Sequence, residues 1–368
     1  MRSLIFVLAL LVASFWYWGV HFGVTILALS FLIFFHELGH FLAAKYFGVF
    51  VKTFSIGFGE KIYSKKFGDT TYCLSAIPLG GYVQLKGQDD TNPRHKNYDS
   101  DSYNTLSPFK RIIILFAGPF FNILLAFLLY ILLGFIGVER LAPVVGTTLE
   151  GSAAQSAQIL PNDKILAIDG KIIKEWDEIK RHVATQPTNL LIERDGRQID
   201  ITLTPKIGKS QNIFGETIET PLIGITPSGQ TAVIYNRGFE SLKFALDETV
   251  QASTLIYKGL EKLITGVVPL KEMGGIVAMA DITTKASQIS LSVLLVIVAL
   301  ISVNLGILNL LPLPVLDGGH ILFNLYEMIF KKAVNERIFV GLSYASMALL
   351  FTLMAFTIIN DITRLAGE

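Results

Sequence analysis

The sequence predicts an α-helical polytopic membrane protein, with four transmembrane helices, membrane-associated β-hairpins and a small β-rich extracytoplasmic domain inserted among them. Three observations carry this expectation. Of 368 residues, 51% are hydrophobic and only 17% charged, against roughly 25% charged in soluble domains. Four apolar stretches, near residues 4–35, 111–136, 289–311 and 338–359, each reach the ~20 residues that a bilayer crossing needs. Between the second and third lies a long, more polar region patterned in short strands.

The first stretch is too long for the apolar core of a cleaved signal peptide and is expected to be retained. It runs into Phe34-Phe35-His36-Glu37-Leu38-Gly39-His40. On a helix, positions i and i+4 share a face, so His36 and His40 point the same way. That spacing suits two imidazoles on one Zn2+ with Glu37 as general base. The bland alternative is a pair of hydrogen-bonded helix histidines and a surface glutamate. Ionisable groups at bilayer depth cost roughly 2.5–3.5 kcal/mol each on insertion scales, which favours the metal, since binding it keeps the imidazoles neutral.

Residues 49–87 are rich in β-branched and aromatic residues, with a turn signal at Lys66-Phe67-Gly68-Asp69, and predict β-hairpins near the membrane. Residues 88–107 are polar and read as a loop. After the second span, residues 139–206 predict a small β-rich domain with one helix near 176–185 and a hairpin turn at Arg194-Asp195-Gly196-Arg197. Residues 207–235 read as a connector. Leu242, Leu246, Ile256, Leu260 and Leu263 recur at helical spacing, predicting an amphipathic helix that lies on a membrane surface or packs as an ordinary helix. The first membrane part is thus 1–138, the connector and amphipathic helix 207–270, and the second membrane part 271–368.

A catalytic zinc usually has three protein ligands and an open position. Pro312 and Pro314 must break the helix after the third span, and irregular backbone at membrane depth is tolerated where it is buried in protein or lines a wet cavity. Asp317 follows the break and is the expected third ligand. Its alternative is a plain N-cap of the next helix; His320 is the weaker competitor for the metal. Asn122 and Asn309 sit inside apolar helices. Each either bonds a neighbouring helix or touches substrate backbone or a developing oxyanion.

Ten Lys and Arg lie between Lys45 and Arg111, and Lys331, Lys332 and Arg337 follow the third span. By the positive-inside rule both loops are cytoplasmic and residues 140–240 lie outside. The net charge of +1 gives no sign of a nucleic-acid partner, and none is expected. A single cysteine, Cys73, excludes an internal disulfide.

His36-Glu37-Leu38-Gly39-His40, Ala117-Gly118-Pro119 with Asn122, Phe54 to Gly59, Ile77 to Val83, and Asn309 to His320 together resemble the site-2 protease family over nearly the whole chain. The branch most similar is the bacterial regulator of sigma-E protease type, which carries PDZ domains between the second and third spans. The resemblance implies zinc held by two histidines and an aspartate, with a glutamate activating water. It implies regulated intramembrane proteolysis of single-pass proteins, such as an anti-sigma factor or signal-peptide remnants, in the bacterial cytoplasmic (inner) membrane. Region 139–206 resembles one PDZ domain where the best-known members have two. Gln158 and Asn162 stand where such domains often have glycine, and Gly274-Gly275-Ile276 replaces a common Ser-Gly-Pro. A zinc-dependent membrane transporter is the alternative, since broken helices also suit transport, although no inverted repeat is visible. A scaffold using the PDZ-like domain leaves Glu37 unexplained.

Overall fold

The computed structural model describes residues 2–88 and 97–367, with side chains from residue 19 onward except Pro78 and Leu79. Of the polar loop expected over 88–107, residues 89–96 lie outside the described residues. The same holds for the side chains of the first 15 residues of the expected 4–35 span (4–18). Four described helices are long and apolar enough to cross a membrane: Gly19–Tyr46, Pro108–Ile136, Leu291–Asn309 and Glu336–Gly367.

Helix α1 (Arg2–Tyr46) leaves helical geometry at Gly19, φ 74°. It continues well past residue 35, where the sequence pattern ends the span. The polar residues 36–40 turn inward instead of stopping the helix, and the following Phe41-Leu42-Ala43-Ala44 favours helix. Gly48, φ 76°, closes it, with Val49 N–H donating to Ala44 O at 2.9 Å, a left-handed C-terminal cap.

Strands β1 (Val51–Phe67) and β2 (Thr70–Leu85) follow, joined at Gly68-Asp69 as the turn signal predicts. The ribbon folds over on itself: Thr53–Ile56 is flanked by Thr71–Leu74 and by Gly81–Gln84. Positive φ at Gly57 and Gly59 (88° and 84°) permits the bend. Gly81–Leu85 is therefore an outer edge, paired on one side only among the described residues. Helix α2 (Pro108–Ile136) crosses α1 closely. A Cβ on Gly39 would collide with the Ala117 carbonyl.

Residues Leu133–Ser241 and Lys262–Val268 form a compact unit of their own. Its elements are β3 (Val138–Leu141), β4 (Val145–Thr148), α3 (Ala153–Ser156), β5 (Lys164–Ile168), β6 (Lys171–Ile172), α4 (Trp176–His182), β7 (Thr188–Arg194) and β8 (Arg197–Leu203). One sheet has the order β6-β5-β7-β8. Val145, Ile159, Ile165, Ile168, Leu190 and Ile192 make its core, closed by Trp176 on α4. The β7–β8 turn puts Asp195 and Gly196 at φ 50° and 75°, as a two-residue hairpin requires. Gln158 and Asn162 adopt φ 57° and 69°, the left-handed conformation that glycine would supply there. Asn reaches it at modest strain; for Gln it is uncommon.

Residues 207–235, expected to connect, instead belong to this unit. They carry β9 (Lys206–Gln211), β10 (Thr217–Leu222), β11 (Ile225–Pro227) and β12 (Thr231–Ile234). β9 and β10 pair with each other, β11 returns to β4 and β12 to β3. Strands whose partners lie some 80–90 residues away in sequence (Thr226 with Thr147, Thr231 with Leu141) show no local pairing signal.

Helix α5 (Phe239–Ile264) buries Ala245, Thr249 and Ala252 and exposes Leu242, Leu246, Val250 and Tyr257. Small residues pack inward, and the large apolar face is outward, as on a membrane-surface helix. Then come α6 (Ile276–Ile289), α7 (Leu291–Asn309), α8 (Asp317–Phe330) and α9 (Glu336–Gly367). A polar seam joins α1 to α6: Thr25 and Thr284 hydroxyls at 2.9 Å, His21 Nδ1 and Ser287 Oγ at 3.0 Å. Asp361, 0% exposed on α9, accepts from the Gly275 and Ala278 N–H groups at 3.0 and 2.9 Å. It caps α6 from another helix, and a Cβ on Gly275 would press on Thr357 Oγ1 and Asp361 Oδ2 at 2.7 and 2.9 Å. Glycine at 275 makes room for that carboxylate.

Candidate metal centre

Helix α1 sets His36 and His40 one turn apart, with their Nε2 atoms 3.2 Å from each other. After α7 the chain turns irregularly through Pro312 and Pro314 and enters α8 at Asp317, whose Oδ2 lies 3.2 Å from His36 Nε2 and 3.5 Å from His40 Nε2. These three form the one such cluster of possible metal ligands among the described residues. Tetrahedral zinc with bonds of about 2.0–2.1 Å places its donor atoms roughly 3.3–3.4 Å apart. The observed triangle has the dimensions of one face of that tetrahedron, so the residues fit the ion.

Partners behind the imidazoles orient them. His40 Nδ1–H donates to the Ile114 carbonyl at 2.8 Å, leaving Nε2 with a free lone pair. His36 Nδ1 lies 3.1 Å from Asn122 Nδ2, while Asn122 Oδ1 has no partner among the described residues. A half-turn of the amide lets Oδ1 accept from Nδ1–H and frees His36 Nε2 in the same way. Asn122 is 0% exposed, and its backbone carbonyl accepts from Ser302 Oγ on α7 at 2.7 Å. Gly118, one turn earlier on α2, has no side chain to spare: a Cβ there would collide with His40 Nε2 and lie 2.9 Å from His36 Cε1.

Glu37 lines a cleft of about 440 Å3 with the cluster, Gly81–Val83 of the β2 edge, and Asn309. Asp317 is the first residue of α8, with Leu316 at the N-cap, and its carboxylate faces the imidazoles. His320, the competitor, points elsewhere, its ring 5.8 Å from that of Phe339. The structure places the candidate residues His36, Glu37, His40, Asn122, Asn309 and Asp317 along this one cleft. The sequence analysis missed the Ile114 carbonyl and gave Gly118 no role beyond the family resemblance. The carbonyl carries no sequence signal; Gly118 falls four residues before Asn122 on one helix face.

Two imidazoles, a carboxylate and an adjacent glutamate beside apolar helices are the donor set of a zinc hydrolase. Residues 24–353 match the family model described as Peptidase family M50, and the chain belongs to that family of zinc metalloproteases. It is 53% identical over 368 residues, all of both chains, to a Campylobacter jejuni protein whose name assigns it to the zinc metalloproteases. A similarly named protein of Helicobacter pylori strain J99 is 41% identical over 94% of this chain and 99% of its own. One of Agrobacterium fabrum is 33% identical over 93% of this chain and 95% of its own. Membership of a protease family sets aside the transporter alternative.

Proposed function

We propose that this protease works inside the bilayer of the bacterial inner membrane, cutting transmembrane segments of single-pass proteins such as an anti-sigma factor. The observation that carries the reading is the donor triangle beside Glu37, built where apolar spans meet. His36, His40 and Asp317 hold zinc; when bound, the ion supplies Lewis acidity that polarises a carbonyl and lowers the pKa of water. Glu37, beside the three ligands in the cleft, takes the proton from the attacking water and passes it to the leaving amine. Asn122 positions His36, and Asn309 in the cleft wall contacts the substrate backbone. Helical substrates hide their amides, so the target must unwind, and the Gly81–Leu85 edge offers strand pairing to the extended chain. The basic flanks support a cytoplasmic side for the cleft-bearing spans and an extracytoplasmic side for the β-rich, PDZ-like unit, whose role in this reading is to restrict the size of substrate ectodomains.

The test is Glu37→Gln in purified, reconstituted protein. Zinc content stays at the wild-type level while cleavage of a single-pass model substrate disappears. Cleavage at an undiminished rate would overturn the assignment of the general base.

A further inference from the structure

A second cavity, of about 210 Å3, opens between α8, the start of α9 and the foot of α2. Its wall carries charge of both signs. Arg111, in the first turn of α2, meets Glu327 of α8, Nη2 to Oε1 at 2.7 Å, and the two side chains are 15% and 28% exposed. Arg111 Nε donates to the Leu106 carbonyl at 3.2 Å. These bonds use two of the five N–H groups of a guanidinium. Glu336, the first residue of α9, is exposed in the same wall. The wall thus holds one arginine and two glutamates. Ser343 gives its hydroxyl hydrogen to the Phe339 carbonyl at 2.8 Å. Exposed Tyr344 has the amphipathic ring common where water meets hydrocarbon.

Charge and apolar surface are separated by depth. Helix α8 ends at Phe330 and α9 begins at Glu336, so these ends share one level, and the Arg111–Glu327 pair brings the foot of α2 to it. Both α2 and α9 are long and apolar enough to cross a membrane. The apolar wall lies further in. Phe323 sits one turn deeper than Glu327 on α8, and Phe339, Val340 and Met347 follow Glu336 on α9. Met347 is eleven residues beyond Glu336, about 16 Å at 1.5 Å per residue. Ionic at the helix foot and apolar toward the middle of the spans is the profile of one bilayer leaflet. A matching ligand has both charges in its head and a hydrocarbon tail. An anionic head would meet two carboxylates with one arginine, and a quaternary ammonium has no N–H to give them. We infer that this cavity binds one glycerophospholipid with an ethanolamine head. Its phosphate lies on Arg111, its ammonium on Glu327 and Glu336, and an acyl chain runs along Phe323, Val340 and Met347. Val315 and Gln88 line both this cavity and the catalytic cleft, so the lipid stands beside the metal centre. The inference goes beyond the protease reading and rests only on the membrane placement of α2 and α9.

The test uses full-length protein, delipidated in detergent and offered equal amounts of dioleoyl phosphatidylethanolamine, phosphatidylcholine and phosphatidylglycerol. Native mass spectrometry counts the lipid retained. One phosphatidylethanolamine per chain is expected, preferred about tenfold over either rival, the scale of one charge-assisted hydrogen bond. Glu336→Lys reverses the charge balance of the wall and moves the preference to phosphatidylglycerol. Val340→Trp fills the cavity from α9 and lowers retention about tenfold, whereas Leu342→Trp, on α9 outside the cavity, leaves it at the wild-type level. Equal retention of the three lipids, or a preference that Glu336→Lys leaves unchanged, overturns the site. Absence of retained lipid overturns it too, and weaker binding of a single-pass model substrate by Val340→Trp would then give the cavity to a peptide. Glu336 is exposed, so its variant keeps the test decisive should Val340→Trp fail to fold. No arm reads cleavage, so failure of the protease reading is distinguishable from failure of the lipid site.

Discussion

Two carboxylates, buried Asp163 in the β-rich unit and partly buried Asp317 in the other, are handled in opposite ways. Asp163, 1% exposed in the β-rich unit, has its own cation. Arg194 Nε and Nη2 grip Oδ1 and Oδ2 at 2.7 and 2.6 Å, and the Leu160 N–H adds 2.7 Å to Oδ2. The hydrogen bonds that Arg194 donates to Asp163 hold its guanidinium above its ordinary pKa. Asp317 has no arginine or lysine paired with it among the described residues. Its near neighbours are two imidazoles whose other nitrogens are already tied back. Asp163 has its counter-charge in the chain; for Asp317 the proposed zinc would supply it.

The largest effect that can break this contrast is at Asp317. Asp317→Asn should weaken zinc affinity by at least about tenfold, since changing even an outer partner costs 10–100-fold, and abolish cleavage. Metal analysis of purified protein with a peptide-bond assay checks both; retained zinc would dissolve the distinction. Asp163→Ala strands a partly buried guanidinium and should destabilise the β-rich unit by about 2–4 kcal/mol, read by denaturant unfolding, with zinc content unchanged. Asn122→Ala should weaken zinc affinity or activity by about 10–100-fold, measured by chelator competition, without the collapse that removing a ligand produces.

The smallest effect concerns Glu216, whose carboxyl is held below its usual range by hydrogen bonds from Lys262 and then Asn212. A depressed folded-state pKa contributes stability above the unfolded value of about 4.3 that is lost as pH falls through and below it. Glu216→Gln should flatten the acid limb of the thermal-midpoint profile slightly and leave neutral pH almost untouched. An unchanged acid limb would show that this exposed pair does nothing.

The grouping of the candidate ligands was legible because it is local. His36 and His40 are one turn apart, Glu37 is adjacent, and Pro312 and Pro314 announce the break that delivers Asp317. The β1–β2 turn and the Asp195-Gly196 hairpin were legible for the same reason. Long-range matters were not. Strands β9–β12 gave no sign of pairing because two of them, β11 and β12, find their partners at Val145–Thr148 and Val138–Leu141. The end of α1 was misplaced because polar residues at 36–40 read as an exit from the bilayer, although they turn toward α2 and α8. Asn122 stayed ambiguous because bonding another helix and serving the site look alike in sequence; at His36 Nδ1 the two are the same contact. Helix α6 was not announced, since its cap is supplied by Asp361.

That borrowed cap ties the fate of the chain's last turns to a helix far upstream. Asp361 answers amides at 275 and 278, and Asn360 holds the Lys271 carbonyl. The tail thereby works as a buckle. Shortening the protein by even eight residues, a trim that looks harmless at a helical terminus, would unfasten the strap leading from α5 into the membrane and loosen α6 where it runs against α1.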